Sequence, residues 1–323
     1  MVLEERRMTS EIAERLDKSG LHWTAGAPLK NYCHWQIGGP ADYLVEPCSA
    51  DEIAMARAIA RETGLPSLVI GHGSNMLFDD QGYRGMIIKI GSRFSAARFD
   101  GENVYAEAGL WTPSLARACA ARGLTGLEHA VGIPGNFGGL LFMNGGSMRQ
   151  NIGDTVTFVD ILDENGQMRR ITGDECDFSY RHSIFQGKNW IVLGAQLKLA
   201  QDDPEKIRRA MLSVLEERRS KFPLEYPNCG SVFSNDEQLY AQYGPPGMVI
   251  DKAGLKGTRV GAAEVSRRHA NFIINCGGAT SSDVFELIRI VRKEILERTG
   301  FVLKCEVRYA SPDGRCDRLD LFL

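Results

Sequence analysis

Two spacings of apolar and polar positions mark out this chain, and the segments they define mix helices with strands. Residues 49–64 read as a helix. Ser49 and Glu52 form a capping-box pair, Ile53, Met55 and Ile59 supply apolar positions, and Gly64 ends the run. The short apolar strand Leu68-Val69-Ile70 leads straight into Gly71-His72-Gly73-Ser74-Asn75, and further strands are expected at 85–90 and 104–108. Thr112 as N-cap with Pro113 at the first helical position opens a helix that Gly123 closes. Strands resume at 155–163 and 190–199. Asp203 and Pro204 start a helix whose Ile207, Met211 and Leu215 share a face. A strand at 270–275 precedes a long helix from Ser282 to Gly300, with Val284, Leu287, Ile288, Val291 and Ile295 at three-and-four spacing. The last strand is expected over 301–309, with Phe301, Leu303, Cys305, Val307 and Tyr309 on the core face and Lys304, Glu306 and Arg308 on the polar face. The charged, amphipathic residues 1–20 read as a leading helix.

A length of 323 residues suits two domains, and the boundary is expected near residue 200. Hydrophobic residues make up 43% and charged residues 24%, an ordinary globular balance with material for a core. A net charge of -3 gives no cationic surplus for nucleic acid or a membrane surface. No apolar run is long enough to span a bilayer, and the N-terminus lacks the apolar centre of a signal peptide, so a cytoplasmic protein is expected. Eight cysteines occur without a CxxC pair; they read as reduced, buried thiols, with no metal site.

Glycine changes the picture. There are 35, many of them clustered between 71 and 153. In Gly71-His72-Gly73-Ser74-Asn75 the glycines let backbone N–H groups converge on an anion, and the serine and asparagine add donors. A tight strand-to-strand turn is the alternative. Gly132, Gly135, Gly138, Gly139, Gly145 and Gly146 make a second loop, stiffened by Pro134; a backbone wrapped around a phosphate-bearing or flat ligand accounts for so many, and close packing is the alternative. Arg181 lies among Phe178, Tyr180 and Phe185, where a fixed guanidinium suits a carboxylate or an enolate oxygen. By itself it reads equally as a surface ion pair. Ser231, Glu306 and His269 are single residues whose structural readings stand beside the chemical ones.

These motifs, in this order, resemble the UDP-N-acetylenolpyruvoylglucosamine reductase family of bacterial peptidoglycan synthesis. The resemblance runs from about Asn31 to Tyr309. It rests on Ile37-Gly38-Gly39-Pro40-Ala41-Asp42, the two glycine loops through Met143-Asn144-Gly145-Gly146, Tyr180-Arg181, Gly230-Ser231-Val232-Phe233, Ala253-Gly254-Leu255-Lys256-Gly257 and His269-Ala270-Asn271-Phe272. It implies an α+β fold: a vanillyl-alcohol-oxidase-type FAD-binding domain of two subdomains (1–200) and a C-terminal α+β substrate domain (201–323). It implies FAD held by Gly71, His72, Gly73, Ser74, Asn75, Met76, Gly132, Ile133, Pro134, Gly135, Gly138, Gly139, Asn144, Gly145 and Gly146. NADPH is the implied reductant and a UDP-sugar the acceptor, contacted by Tyr180, Arg181, Asn235 and His269. Arg181, Ser231 and Glu306 are the implied catalytic residues. Ser231 delivers a proton, Arg181 stabilises developing charge, and Glu306 either holds an acid proton or orients the substrate.

Two departures set this chain apart. The short spacing from Arg181 to Ser231 places it with the shorter branch of the family. The stretch 236–247 is longer than the pattern leads one to expect and is read as a loop that reshapes the substrate pocket. It is the one feature that favours a paralogue acting on a related sugar enol ether, and an oxidase of the wider superfamily is a further alternative.

Overall fold

The computed structural model describes residues 2–323. The chain divides into two compact units. The first is Met1–Thr24, Tyr43–His72 and Met86–Glu217; the second is Ala25–Asp42, Gly73–Gly85 and Arg218–Leu323. Helices and short, mostly antiparallel sheets alternate in both, so the class is α+β, as the family resemblance implies.

The first unit carries a five-stranded sheet in the order Met168–Thr172, Val156–Leu162, Ile191–Lys198, Asn103–Glu107, Ala97–Asp100. Its neighbours pair antiparallel. Val104, Ala106, Val159, Ile161, Ala195 and Leu197 are fully buried and pack with Leu115 and Cys119 of the helix Thr112–Ala120 and Leu141 of the helix Phe137–Phe142. A second core forms where Ser67–Ile70 pairs in parallel with residues 86–89. Ile12 and Leu16 of the helix Val2–Ser19, and Ala56, Ile59 and Ala60 of the helix Ala50–Glu62, bury there with Met86 and Ile88. The Ser49 side chain accepts from the Glu52 N–H, and the Glu52 carboxylate takes the N–H of Cys48, so the capping chemistry starts the helix where the sequence placed it.

In the second unit, Arg259–Val260, Ala263–Val265 and Ile273–Asn275 form an antiparallel sheet covered by the helix Ser281–Thr299. Thr280 and Asp283 close a reciprocal capping box at its start, and Gly300 ends it in the left-handed region, φ 75°. A second sheet joins Cys316–Arg318, Arg308–Ala310 and Met76–Phe78, and its last pairing is parallel, Arg308 opposite Met76.

Several elements differ from expectation. The alternation over 301–309 holds, since Leu303, Cys305, Val307 and Tyr309 are buried. The ladder does not hold, because only Arg308–Ala310 is a strand. The backbone of 303–306 is satisfied instead by irregular partners. The Leu303 carbonyl takes the Arg292 side chain, the Cys305 N–H takes Asp320, the Lys304 carbonyl takes the Ser234 N–H, and the Glu306 N–H donates to Val232. Trp111, not Thr112, is the N-cap of its helix, which moves Pro113 to the second helical position. Met55 and Leu215 are exposed, and Ala56 and Val214 take the buried positions on their helices. Residues 236–247 are not a loop: Asp236 caps the helix Glu237–Tyr243, and Pro246–Lys252 follows as another. Five cysteines are buried as free thiols, whereas Cys48 and Cys276 are exposed and Cys316 is half-buried. Among the described residues no helix is long and apolar enough to cross a membrane, and no cluster of side chains could hold a metal ion.

Candidate active site

Gly71 and His72 of the first glycine loop meet the second loop within the first unit. A Cβ built on Gly71 would lie 3.4 Å from the Cβ of Asn136, just beyond Gly135. The His72 ring lies against Trp111, centroids 4.5 Å apart, and Trp111 forms a backbone bridge to Asn136. The second loop is pinned by main-chain bonds from Thr112 N–H to the Gly135 carbonyl, from Phe137 N–H to Leu110 and from Gly138 N–H to Ala108. Asn136 anchors it from below through its amide to the Ile90 carbonyl. Between these segments the Thr112 hydroxyl is buried, 1% exposed, and has no partner among the described residues. An unpaired buried hydroxyl costs about 1–3 kcal/mol. Sequence reasoning gave Thr112 only a capping role and so missed it.

The glycines of the second loop serve different ends. A side chain at Gly138 would strike the Ala108 Cβ at 2.8 Å, one at Gly145 would strike Leu140, and one at Gly146 would strike the Gln150 carbonyl. Those three are required by packing, the alternative weighed above. Gly139 faces open space. Asn144 is buried, and its side chain donates to the Ser179 carbonyl and accepts from the Gly153 N–H. That amide therefore holds the next element of the site in place.

That element is the turn bearing Tyr180 and Arg181. Ser179 and His182 exchange both backbone hydrogen bonds, which leaves Tyr180 and Arg181 at the tip. Arg181 has φ 54°, a left-handed conformation that costs a non-glycine residue about 1 kcal/mol. Gln186 donates to the Arg181 carbonyl, and Ser183 donates to Phe142 behind it. A strained residue kept against its preference, on a turn braced by buried amides, points to a functional side chain. The Arg181 guanidinium lies 5.8 Å from the centroid of the exposed Tyr180 ring.

The second unit holds Gly73, Ser74, Asn75 and Met76 together with Ser231 and Glu306. Gly73, at φ 66°, comes so close to the Tyr32 carbonyl that no Cβ would fit. The Asn75 side chain donates to the Glu306 carbonyl at 3.1 Å, and the Arg308 N–H donates to the Asn75 carbonyl. Ser231 sits half-buried after Gly230, whose φ of 76° makes the turn. The next residue, Val232, is held from both sides: its N–H donates to the Asn271 carbonyl and its carbonyl accepts from the Glu306 N–H, each at 2.8 Å. The buried Asn271 amide also bonds both backbone groups of Phe233. Ser231 and Glu306 are thus on adjoining backbones. Asn271, which the sequence offers only as part of a motif, fixes the backbone that follows Ser231. Asn235 is exposed four residues on. His269 is half-buried among Phe222 and Phe272, and burial, then the Lys256 charge, pushes its imidazole below its ordinary value, so it is a neutral hydrogen-bonding group.

Residues 222–310 match the C-terminal domain family of UDP-N-acetylenolpyruvoylglucosamine reductase, and residues 41–172 match an FAD binding domain family. A Corynebacterium glutamicum protein named UDP-N-acetylenolpyruvoylglucosamine reductase 1 is 44% identical over 88% of this chain and 85% of its own length. A reductase of that name from Heliobacterium modesticaldum is 41% identical over 90% of this chain and 92% of its own. The crystal structure of the Thermus caldophilus reductase (MurB) superposes with a TM-score of 0.75 at 31% identity, covering 90% of this chain and 98% of that one. The FAD match takes in Thr112, Trp111 and the 132–146 loop. The unpaired Thr112 hydroxyl and the open face of Gly139 fit a bound FAD there.

Proposed function

Because the chain belongs to the UDP-N-acetylenolpyruvoylglucosamine reductase family, we propose that Arg181, Ser231 and Glu306 carry the reduction of UDP-N-acetylglucosamine enolpyruvate to UDP-N-acetylmuramate, a precursor of peptidoglycan. The observation that supports these roles most is the Glu306 N–H bond to the Val232 carbonyl, which sets the backbone of the glutamate beside that of the residue following the serine. The glycine loops with Met76, Ile133 and Pro134 would hold FAD, which would supply hydride-transfer chemistry with NADPH as the reductant. Arg181 stabilises the charge that develops on the substrate carboxylate as hydride adds to the neighbouring double bond. Ser231 donates its hydroxyl proton to the carbon next to that carboxylate. A free serine is a weak acid, and Glu306 is the neighbour assigned to support it. Tyr180, Asn235 and neutral His269 contact the UDP-sugar by hydrogen bonding and ring packing. Free thiols at all eight cysteines support a reducing, cytoplasmic setting.

The test separates the two half-reactions. Under anaerobic conditions NADPH is expected to bleach the flavin of Ser231→Ala at the wild-type rate. Reoxidation by UDP-N-acetylglucosamine enolpyruvate is expected to slow by about 100-fold or more. A variant that reoxidises at the wild-type rate overturns the role of Ser231. A wild-type protein that the substrate fails to reoxidise overturns the activity.

A further inference from the structure

Two thiols that the chemistry above does not use lie together in the second unit. The sulfurs of Cys33 and Cys229 are 3.0 and 3.1 Å from one acceptor, the Met76 carbonyl oxygen, and within hydrogen-bonding reach of each other. Cys33 also lines a cavity of about 1130 Å³ with His34, Gln36, Tyr226 and Cys276, which opens a route to it from solvent. Cys229 directly precedes Gly230 and Ser231. We propose that Cys33 and Cys229 form a reversible disulfide, which makes this pair a redox modification site that controls the position of Ser231.

The two sulfurs are prepared unequally. Burial alone would raise the Cys33 thiol, but hydrogen bonds to its sulfur from Cys229 and from the N–H groups of Trp35, Ile37 and Gln36 outweigh burial and lower it. Burial, followed by the Cys33 sulfur, holds Cys229 well above the ordinary thiol value. Cys33, which lines the cavity, is the sulfur that an oxidant reaches first, and Cys229 behind it is the resolving partner. With hydrogen peroxide as oxidant, the Cys33 sulfur attacks one peroxide oxygen. The S–O bond forms, the O–O bond breaks, and the hydroxide released takes up a proton to give water. The Cys229 sulfur, giving up its proton, then attacks the Cys33 sulfur. The S–S bond forms and the S–O bond breaks, releasing a second water. Two electrons pass from the two sulfurs to peroxide. A low-molecular-weight disulfide reaches the same product by two thiol exchanges.

An S–S bond is about 2.05 Å long, so the sulfurs must close from hydrogen-bonding separation. Gly230 is suited to absorb that motion. It already has φ 76°, and nothing lies within 4 Å of where its Cβ would be. The residue carried along is Ser231, so oxidation displaces the proton donor.

The test uses the full-length flavoprotein treated with hydrogen peroxide or oxidised glutathione, followed by alkylation of free thiols and peptide mass mapping. A peptide linking Cys33 to Cys229 is expected, with a tenfold or larger fall in turnover that dithiothreitol reverses. Cys33→Ala and Cys229→Ala should each lose both the linked peptide and the sensitivity. The pair is rejected if the wild-type protein forms no 33–229 link under conditions that oxidise the exposed Cys48 and Cys276, or if Cys33 links to Cys276 instead. The control of Ser231 is rejected if the link forms and turnover does not change. Because the link is read by mass, its formation is tested independently of the catalytic role given to Ser231, on which the turnover readout rests and which the Ser231→Ala half-reactions test separately.

Discussion

Gln186 donates from Nε2 to the carbonyl oxygen of Arg181 at 2.9 Å and to that of Phe142 at 3.0 Å. One amide thus fastens the turn that presents the guanidinium to the end of the helix behind it. Gln186→Ala leaves two carbonyls without this donor. It is expected to lower kcat/KM about tenfold while FAD content and the rate of flavin reduction by NADPH stay as in the wild type. Unfolding stability should fall by about 1–2 kcal/mol. Unchanged kcat/KM in a variant with that stability loss would show that the brace serves folding alone.

Arg181 holds a left-handed conformation that glycine adopts at no steric cost. Arg181→Gly and Arg181→Ala both remove the side chain, and only the glycine variant relieves the backbone. Urea denaturation is expected to show Arg181→Gly more stable than Arg181→Ala by up to about 1 kcal/mol, with turnover lost in both. Equal midpoints for the two would argue that the turn carries no strain.

The orphaned Thr112 hydroxyl gives a direct reading of the cofactor site. Thr112→Val keeps the shape and removes the group with no partner among the described residues. The flavin-free protein should be as stable as the wild type or more so by about 1 kcal/mol, while FAD binds roughly tenfold more weakly by titration. Undiminished affinity would place the hydroxyl away from the flavin.

Much of this was legible in the sequence because local chemistry dictated it. The Ser49 helix start, the end at Gly300 and the strand into Gly71 all depend on residues within a few positions of each other, whereas the Thr280 cap, two residues before the expected start at Ser282, went unread. The convergence of Gly71 with Gly135 and Asn136 was readable only as two separate glycine clusters. What local pattern could not show is which segments gather. Nothing near residues 25–42 or 73–85 signals that they join residues 218–323. The irregular 301–307 segment has a strand's alternation, and only distant donors such as Arg292, Ser234 and Asp320 decide that it forms no ladder. Asn144, Gln186 and Asn271 act through long-range backbone bonds, and no short motif announces such a role.

Acidic conditions should expose His129. It is 1% exposed, and neither ring nitrogen has a partner among the described residues. Burial lowers its pKa against the opposing pull of Asp154 and Glu128. The folded state therefore keeps it neutral at pH values where the unfolded chain takes up a proton. Its contribution to stability is complete above the ordinary histidine value of about 6.5 and is lost as pH falls below it. His129→Leu is expected to reduce the drop in urea midpoint between about pH 7.5 and pH 5. A drop as large as in the wild type would assign the acid sensitivity to other groups.

The parallel pairing of Met76–Phe78 with Arg308–Ala310 also bears on how the protein is made. The two strands are separated by about 230 residues, so the first leaves the ribosome long before its neighbour exists. On the nascent chain the segments 25–42 and 73–85 wait with their edge uncovered, at a translation rate of roughly 5–20 residues per second. Closure of so long a loop is the slow kind of step that non-local strand pairing imposes. Chaperone demand should fall on that interval, and a chain that stops short of Arg308 leaves the Gly73–Met76 loop without the strand that anchors it.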